Sequence, residues 1–250
     1  GNDARQEDYV RARFPINHLL DQERSPIADL QDRERRRRIA CFARYADRIF
    51  ALNPDQLWVL PPKARFLPYT AVDLEEWKSV NVQATSDSPI RVLHSPTSRL
   101  TKGTKYVLEA VERLKQEGLK FEFQLVENVP YSQVKEIYQR ADLLIDQLLY
   151  GWYGGLAVEL MALGKPVIAY IRDEDLQFIP PAMKADLPII NEPPYIIYDV
   201  RKRCLLMDRA ELRRQGIKSR AYVERWHDPI KIATQLKQEA EEVLRERKKG

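Results

Sequence analysis

Nine glycines occur in the 250-residue chain, and four of them, Gly151, Gly154, Gly155 and Gly164, fall within fourteen residues. They sit in Asp146-Gln147-Leu148-Leu149-Tyr150-Gly151-Trp152-Tyr153-Gly154-Gly155-Leu156-Ala157-Val158-Glu159, between an apolar run of strand length and an apolar run of helical length. A strand-to-helix turn of this kind presents unblocked N–H groups and the positive end of a helix dipole, a setting that binds phosphate. Arg99 and Lys102 follow another apolar run in Ser95-Pro96-Thr97-Ser98-Arg99-Leu100-Thr101-Lys102-Gly103. As lone loop cations they would be unremarkable. At the carboxyl end of a neighbouring strand they would face the same anion. Glu159 lies on the apolar helix after the glycines, where a carboxylate is costly without a partner. A ribose diol is one such partner, because a carboxylate accepts from both hydroxyls. The dinucleotide fingerprint G-x-G-x-x-G is absent, which argues against a nicotinamide or flavin enzyme.

These residues need a scaffold, and the alternation of patterns supplies one. Apolar runs at 90–94, 121–126, 143–148 and 167–171 are read as strands, with amphipathic helices expected at 103–116, 132–140 and 156–163. Strand and helix in alternation with short connections predict an α/β fold, a parallel sheet with helices on both faces. Before it come an irregular stretch to about residue 25, a long helix to about residue 45, and short strands at 48–52 and 66–67. Asn53 is read as the cap of a short helix reaching residue 60. Polar, small residues from 80 to 89 mark a linker, so the expected domains are 1–80 and 81–250. Helices are expected from about residue 196 onward, broken once at Gly216.

Composition narrows the classes. Apolar residues make up 44% and charged residues 31%, as in an ordinary folded chain. No run approaches the ~20 apolar residues of a membrane-spanning helix, and no secretory leader is recognised at the polar start. Cys41 and Cys204 are read as lying in apolar surroundings, so neither a disulfide framework nor a thiolate zinc site is expected and a cytoplasmic setting fits. The net charge of +4 is too balanced for a nucleic-acid binder. One exception is Arg33-Glu34-Arg35-Arg36-Arg37-Arg38. It is read first as the wet face of an amphipathic helix, since Leu30, Ile39, Ala43, Ala46 and Ile49 recur near helical spacing around it. Contact with nucleic acid or an anionic membrane surface is the alternative.

The run Gly154-Gly155-Leu156-Ala157-Val158-Glu159-Leu160-Met161-Ala162-Leu163-Gly164-Lys165-Pro166-Val167-Ile168-Ala169 resembles the donor-site motif of retaining family-four glycosyltransferases of the GT-B fold. Arg99 and Lys102-Gly103 resemble that family's basic pair. Ala46-Asp47-Arg48-Ile49-Phe50 and Pro68-Tyr69-Thr70-Ala71-Val72-Asp73 resemble the end of its first domain and the hinge. Gly1-Asn2-Asp3 resembles a turn midway through that domain, so the first Rossmann-like domain is expected to be incomplete, the N-terminus trimmed or the sequence a fragment. Two departures stand out. The family's second glutamate, eight positions before Glu159, is Gly151 here, with Asp146 or the backbone of 151–153 as substitutes. The Arg99–Lys102 spacing is also short.

The resemblance implies transfer of a sugar from a nucleotide-diphosphate donor with retention, in glycan or polysaccharide synthesis. Arg99 and Lys102 would be catalytic, offsetting charge on the departing diphosphate. Gly151, Gly154, Gly155, Leu156 and Glu159 would bind the donor. No metal and no cofactor are expected, since cations take that role and no Asp-x-Asp pair is near. The acceptor, whether glycan, lipid or small molecule, is left open. His94 could approach the site from its strand end, though a lone histidine there is more often structural. Two other readings compete: a nucleotide-sugar epimerase of the same fold, whose acidic and histidine groups around the sugar this sequence does not obviously supply, and a non-catalytic nucleotide-binding fragment.

Overall fold

The computed structural model describes residues 4–20, 22–70, 72–78, 88–191, 193 and 207–248. Its main body is a five-stranded, all-parallel sheet in the order β4-β3-β5-β6-β7. The strands are β3 (Ile90–His94), β4 (Phe121–Leu125), β5 (Leu143–Ile145), β6 (Val167–Ala169) and β7 (Ile190–Asn191). From β3 the chain moves out to β4 at one edge, then returns past β3 to β5. Connections therefore diverge between β3 and β5, at the switch point where open α/β sheets bind ligands.

The period of two is visible in what each face buries. Val92, Leu143, Ile145 and Ile168 pack with Val107 and Ala110 of α4 (Thr104–Gln116), which follows the single turn α3 (Arg99–Lys102). Leu93, Leu144, Val167 and Ala169 pack on the other face with Val134 and Tyr138 of α5 (Tyr131–Arg140) and with α6 (Gly155–Ala162). Helix α6 is apolar around most of its surface because it is buried there, its Ala157, Val158, Leu160, Met161 and Ala162 having no exposed surface, while Gly155, Leu156 and Glu159 are half-buried. Strand β4 alternates half-buried with exposed residues, and so does the short β7 at the other edge, as edge strands should.

Ahead of this body stand α1 (Glu7–Arg13), α2 (Ala28–Tyr45) and a two-stranded parallel sheet of β1 (Ile49–Ala51) and β2 (Ala64–Phe66). A short 3-10 helix spans Pro54–Trp58 between the two strands. Between β6 and β7 come a second 3-10 helix, Asp173–Phe178, and α7 (Pro181–Asp186). After the sheet come α8 (Arg209–Trp226) and α9 (Pro229–Arg247). Helix α9 returns to the first strands, where Glu239 accepts from Arg48 at 2.9 Å and from Arg65 at 2.6 Å.

Several expectations are corrected. Helix α1 occupies part of the stretch read as irregular. Its first amides, Glu7 and Asp8, donate to the Asp32 carboxylate at 2.9 and 3.3 Å, a cap lent by α2. Gly216 does not break α8. The helix runs through it because Gly216 lies against the Gly164 carbonyl, leaving no room for a Cβ. Strand β5 stops at Ile145, where Asp146 and Gln147 turn their side chains onto the next turn. Cys41 is exposed. Helix α2 fully buries only Ala28 and Asp32; of the expected apolar face Ile39 and Ala43, with Ala46 and Ile49 beyond the helix, are half-buried, and Leu30 is exposed. The expected linker and domain boundary fall mainly on residues 79–87, and Cys204 and the Gly1-Asn2-Asp3 turn also lie outside the described residues.

Candidate functional site

The site is assembled from the carboxyl ends of β3, β4 and β5. Ser98 caps the single turn Arg99–Lys102, accepting from the Thr101 amide. Gly103 then takes a left-handed φ of 77°, and its missing Cβ lets Leu148 and Leu149 close in. This places the Lys102 ammonium against the end of β5. Lys102 Nζ donates to Gln147 Oε1 at 2.5 Å and lies 3.6 Å from Asp146 Oδ1. The two acceptors also hold the glycine turn: the Gly154 amide donates to Asp146 Oδ2 at 2.7 Å, and Gln147 Nε2 donates to the Trp152 carbonyl at 2.5 Å. A Cβ on Gly154 would stand 3.1 Å from Lys102 Nζ, so cation and turn are in contact. No side chain caps α6, which leaves its first amides to a ligand.

Beside this turn opens a cavity of about 730 Å³. The loop after β3 (Ser95 to Arg99) and the loop after β4 (Val126 to Val129) form two walls, and Tyr131, Tyr138, Leu156 and Glu159 close it. Arg99, Leu156 and Glu159 are thus brought together. Lys102, Gly154 and Gly155 sit at its edge without lining it. Gly151 is elsewhere: at φ 69° it is pinned under Arg172 and Phe14, whose atoms would stand 3.0 and 3.2 Å from its Cβ, and its carbonyl accepts from the Arg172 amide. The backbone there serves packing, and a glutamate would not fit.

Two carboxylates carry most of the pocket's electrostatics. Glu159 Oε1 accepts from the Tyr131 hydroxyl at 3.2 Å, and burial raises its pKa above the ordinary carboxylate range. Burial, reinforced by Glu159, pushes the Tyr131 hydroxyl up to about 12. Glu127 accepts both guanidinium arms of Arg99, at 2.8 and 2.5 Å, and these bonds hold its pKa low. Gln147, Tyr131 and Glu127 were not singled out by sequence. Gln147 had a signal, as a polar residue beside Asp146 inside an apolar run. Tyr131, the first residue of α5, and Glu127, in the loop after β4, carry no signal of their own until the fold gathers them.

His94 is sealed in the core. Its Nδ1 donates to the Ile145 carbonyl at 2.8 Å, so Nε2 is the acceptor for the Thr104 hydroxyl at 2.9 Å. It bridges β3, β5 and α4, and it is not among the residues that line the cavity beside the glycine turn.

The glycine turn is anchored from below. Trp152 and Tyr153 are fully buried and stack at 4.4 Å. His227 Nδ1 donates to the Tyr69 carbonyl at 2.9 Å, so its Nε2 accepts from the Tyr153 hydroxyl, which in turn accepts from Tyr222. Burial lowers the His227 pKa from 6.5 to about 4. The folded state then binds fewer protons than the unfolded state in this window, so stability is full above pH 6.5 and falls as pH drops toward 4. By linkage the loss reaches about 3 kcal/mol. Urea unfolding between pH 7 and 4.5 should show this slope, and His227→Gln should flatten it. An equal slope in both proteins would mean His227 is not the titrating group.

No family model matches the chain, and no curated protein matches it significantly. Solved structures do. Sucrose-phosphate synthase from Thermosynechococcus elongatus is similar with a TM-score of 0.64 at 19% identity, over 94% of this chain and 70% of that one. HepE from Anabaena, solved with UDP and glucose, reaches 0.63 at 12% identity, over 84% of this chain and 67% of that one. A glycosyltransferase from Rickettsia africae reaches 0.57 at 14% identity, over 82% and 67%. The likeness is one of fold: the chain has the α/β GT-B architecture found in glycosyltransferases.

Proposed function

We propose that this chain binds a nucleotide-diphosphate sugar and acts in glycosyl transfer, as a retaining family-four enzyme of the GT-B fold. The observation that carries the reading is the pocket between the loops after β3 and β4, where Arg99, Leu156 and Glu159 meet beside the start of α6, which no side chain caps. HepE, of the same fold, was solved with UDP and glucose, which supports a nucleotide-sugar donor.

In this reading residues 81–250 hold the donor and residues 1–80 belong to the acceptor side and hinge. Gly154, Gly155 and Leu156 offer amides to the diphosphate, and Gly151 shapes the turn. Arg99 and Lys102 stabilise the negative charge that grows as the bond from sugar carbon to diphosphate oxygen breaks. The acceptor hydroxyl oxygen forms its new bond to the sugar carbon on the face the diphosphate leaves, its proton passes to the departing diphosphate oxygen, and no protein nucleophile or metal is required. The acceptor is a sugar, lipid or small molecule, and the setting is the cytoplasm. Among the described residues no helix is long and apolar enough to cross a membrane. The epimerase reading is disfavoured because His94, the histidine nearest the strand ends, is bonded at both nitrogens.

A thermal-shift panel of nucleoside diphosphates and their sugars tests the proposal, since a ligand of the native state raises apparent stability. At least one nucleotide sugar should raise the midpoint, and no shift with any of them would defeat it. Glu159 should read the ribose. A hydrogen bond to a charged acceptor is worth ~1.5–3 kcal/mol, so a diphosphate with ribose should bind roughly ten- to hundredfold tighter than its 2′-deoxy form. Glu159→Gln should shrink that ratio several-fold, and an unchanged ratio would assign Glu159 to Tyr131 alone.

A further inference from the structure

Gln147 does not line the donor cavity, yet its side chain meets both the cation and the glycine turn beside it. The residue is buried, and its main chain is fixed from two sides. The Tyr170 amide, just beyond β6, donates to the Gln147 carbonyl at 3.1 Å. Its neighbours Asp146 and Leu148 donate to the Ile168 and Lys102 carbonyls at 2.9 and 3.2 Å. From that base the carboxamide oxygen accepts from Lys102 Nζ, and the carboxamide nitrogen donates to the Trp152 carbonyl. These partners leave the amide one orientation, because a flip would set NH2 against an ammonium and oxygen against a carbonyl.

The charge of the acceptor matters as much as its place. Asp146 Oδ1 stands 3.6 Å from Lys102 Nζ, too far for a hydrogen bond, and Oδ2 already accepts from the Gly154 amide. The acceptor in direct contact with the ammonium, at 2.5 Å, is therefore a neutral one. It fixes the ammonium against Gly154, where an added Cβ would stand 3.1 Å from Nζ, without cancelling its charge. A glutamate in its place would hold Lys102 as firmly. It would also set a second carboxylate beside Asp146, and a cation so paired attracts an incoming anion less.

We propose that Gln147 is a positioning residue of the diphosphate site. Its carboxamide locks the Lys102 ammonium to the glycine turn as one preformed unit and leaves the positive charge for the ligand. This rests on the donor-site reading and adds a residue that itself touches no ligand. A lysine held in place before binding spares the ligand the cost of ordering a long side chain.

Calorimetric titrations of the full chain with UDP and UMP at one ionic strength test the role. Gln147→Met keeps the length and removes both side-chain hydrogen bonds. It should weaken UDP binding about tenfold, the upper value for one lost hydrogen bond, and change UMP binding less. Gln147→Glu keeps the contact with Lys102 and should cost more, about ten- to hundredfold, because a charged partner then competes with the diphosphate. In a Lys102→Ala chain, Gln147→Met should have no further effect on UDP, since a residue acting through Lys102 has nothing left to place. Thermal midpoints are measured alongside. Where Gln147→Met unfolds, Gln147→Glu, which keeps the size and the lysine contact, carries the test. UDP affinity within about twofold of the parent's in a folded variant, or an equal loss from Gln147→Met with and without Lys102, would overturn the proposal. A parent chain with no preference for UDP over UMP would instead remove the diphosphate site itself, and the role of Gln147 with it.

Discussion

Gly216→Ala should lower the unfolding free energy by about 3 kcal/mol or more, the largest effect expected of any single methyl added to this chain. The added carbon would stand 2.0 Å from the Gly164 carbonyl oxygen and 3.0 Å from its carbon. These are backbone atoms, so no rotamer change relieves the clash, and α8 must retreat from the turn that ends α6. Retreat would loosen Tyr222 and Val223, which pack into the core beneath the glycine turn. Overpacking typically costs ~1–3 kcal/mol when side chains can adjust. Here the backbone must move, and the ~1 kcal/mol gained in helix propensity does not offset it. Thermal unfolding should show a midpoint lowered by roughly 6–12 °C for a chain of this size. A midpoint equal to or above the parent's would mean α8 does not press on Gly164.

Lys102→Ala should weaken nucleoside-diphosphate binding roughly ten- to hundredfold, from the ~1.5–3 kcal/mol value of a hydrogen bond to a charged partner. Lys102 is the cation held against the glycine turn, half-buried and fixed by Gln147 and Asp146. Arg99→Ala should cost less. Arg99 is exposed and already bidentate with Glu127, so a diphosphate must displace one anion to gain the other. Calorimetric titration of both variants checks the order. Because Lys102 also braces Gln147, its unfolding midpoint must be measured alongside. An affinity within twofold of the parent would remove Lys102 from the diphosphate site.

What could be read from sequence was whatever local pattern controls. Strands β3 and β4 and helices α4, α5 and α6 come within a residue or two of their expected bounds, because each carries its own periodicity and short connections fix their order. The cation pair and Glu159 were found because charge after an apolar run is conspicuous. What escaped depends on contacts distant in sequence. Helix α1, with Val10 its only buried residue, exists through a cap from Asp32 on another helix. Gly216 looks like a helix breaker by propensity, and only the neighbouring Gly164 carbonyl shows it as a close-packing residue. Gly151 looked like part of the donor turn, but the approach of Phe14 and Arg172 from two other segments decides its place. Asp175 likewise receives both arms of Arg172 and the Trp58 indole, a buried knot joining the first segment to the sheet that no short window contains.

Lys102, Arg99 and the start of α6 would together hold a diphosphate at the carboxyl ends of β3 and β5. The direct measurement is calorimetric titration of the 250-residue chain with UDP and UMP at the same ionic strength. The second phosphate adds the charge that these groups would meet, so UDP should bind at least roughly tenfold tighter. Lys102→Ala should bring the two nucleotides close together. Equal affinity for UDP and UMP in the parent chain, or a preference for UDP that survives Lys102→Ala undiminished, would contradict the account.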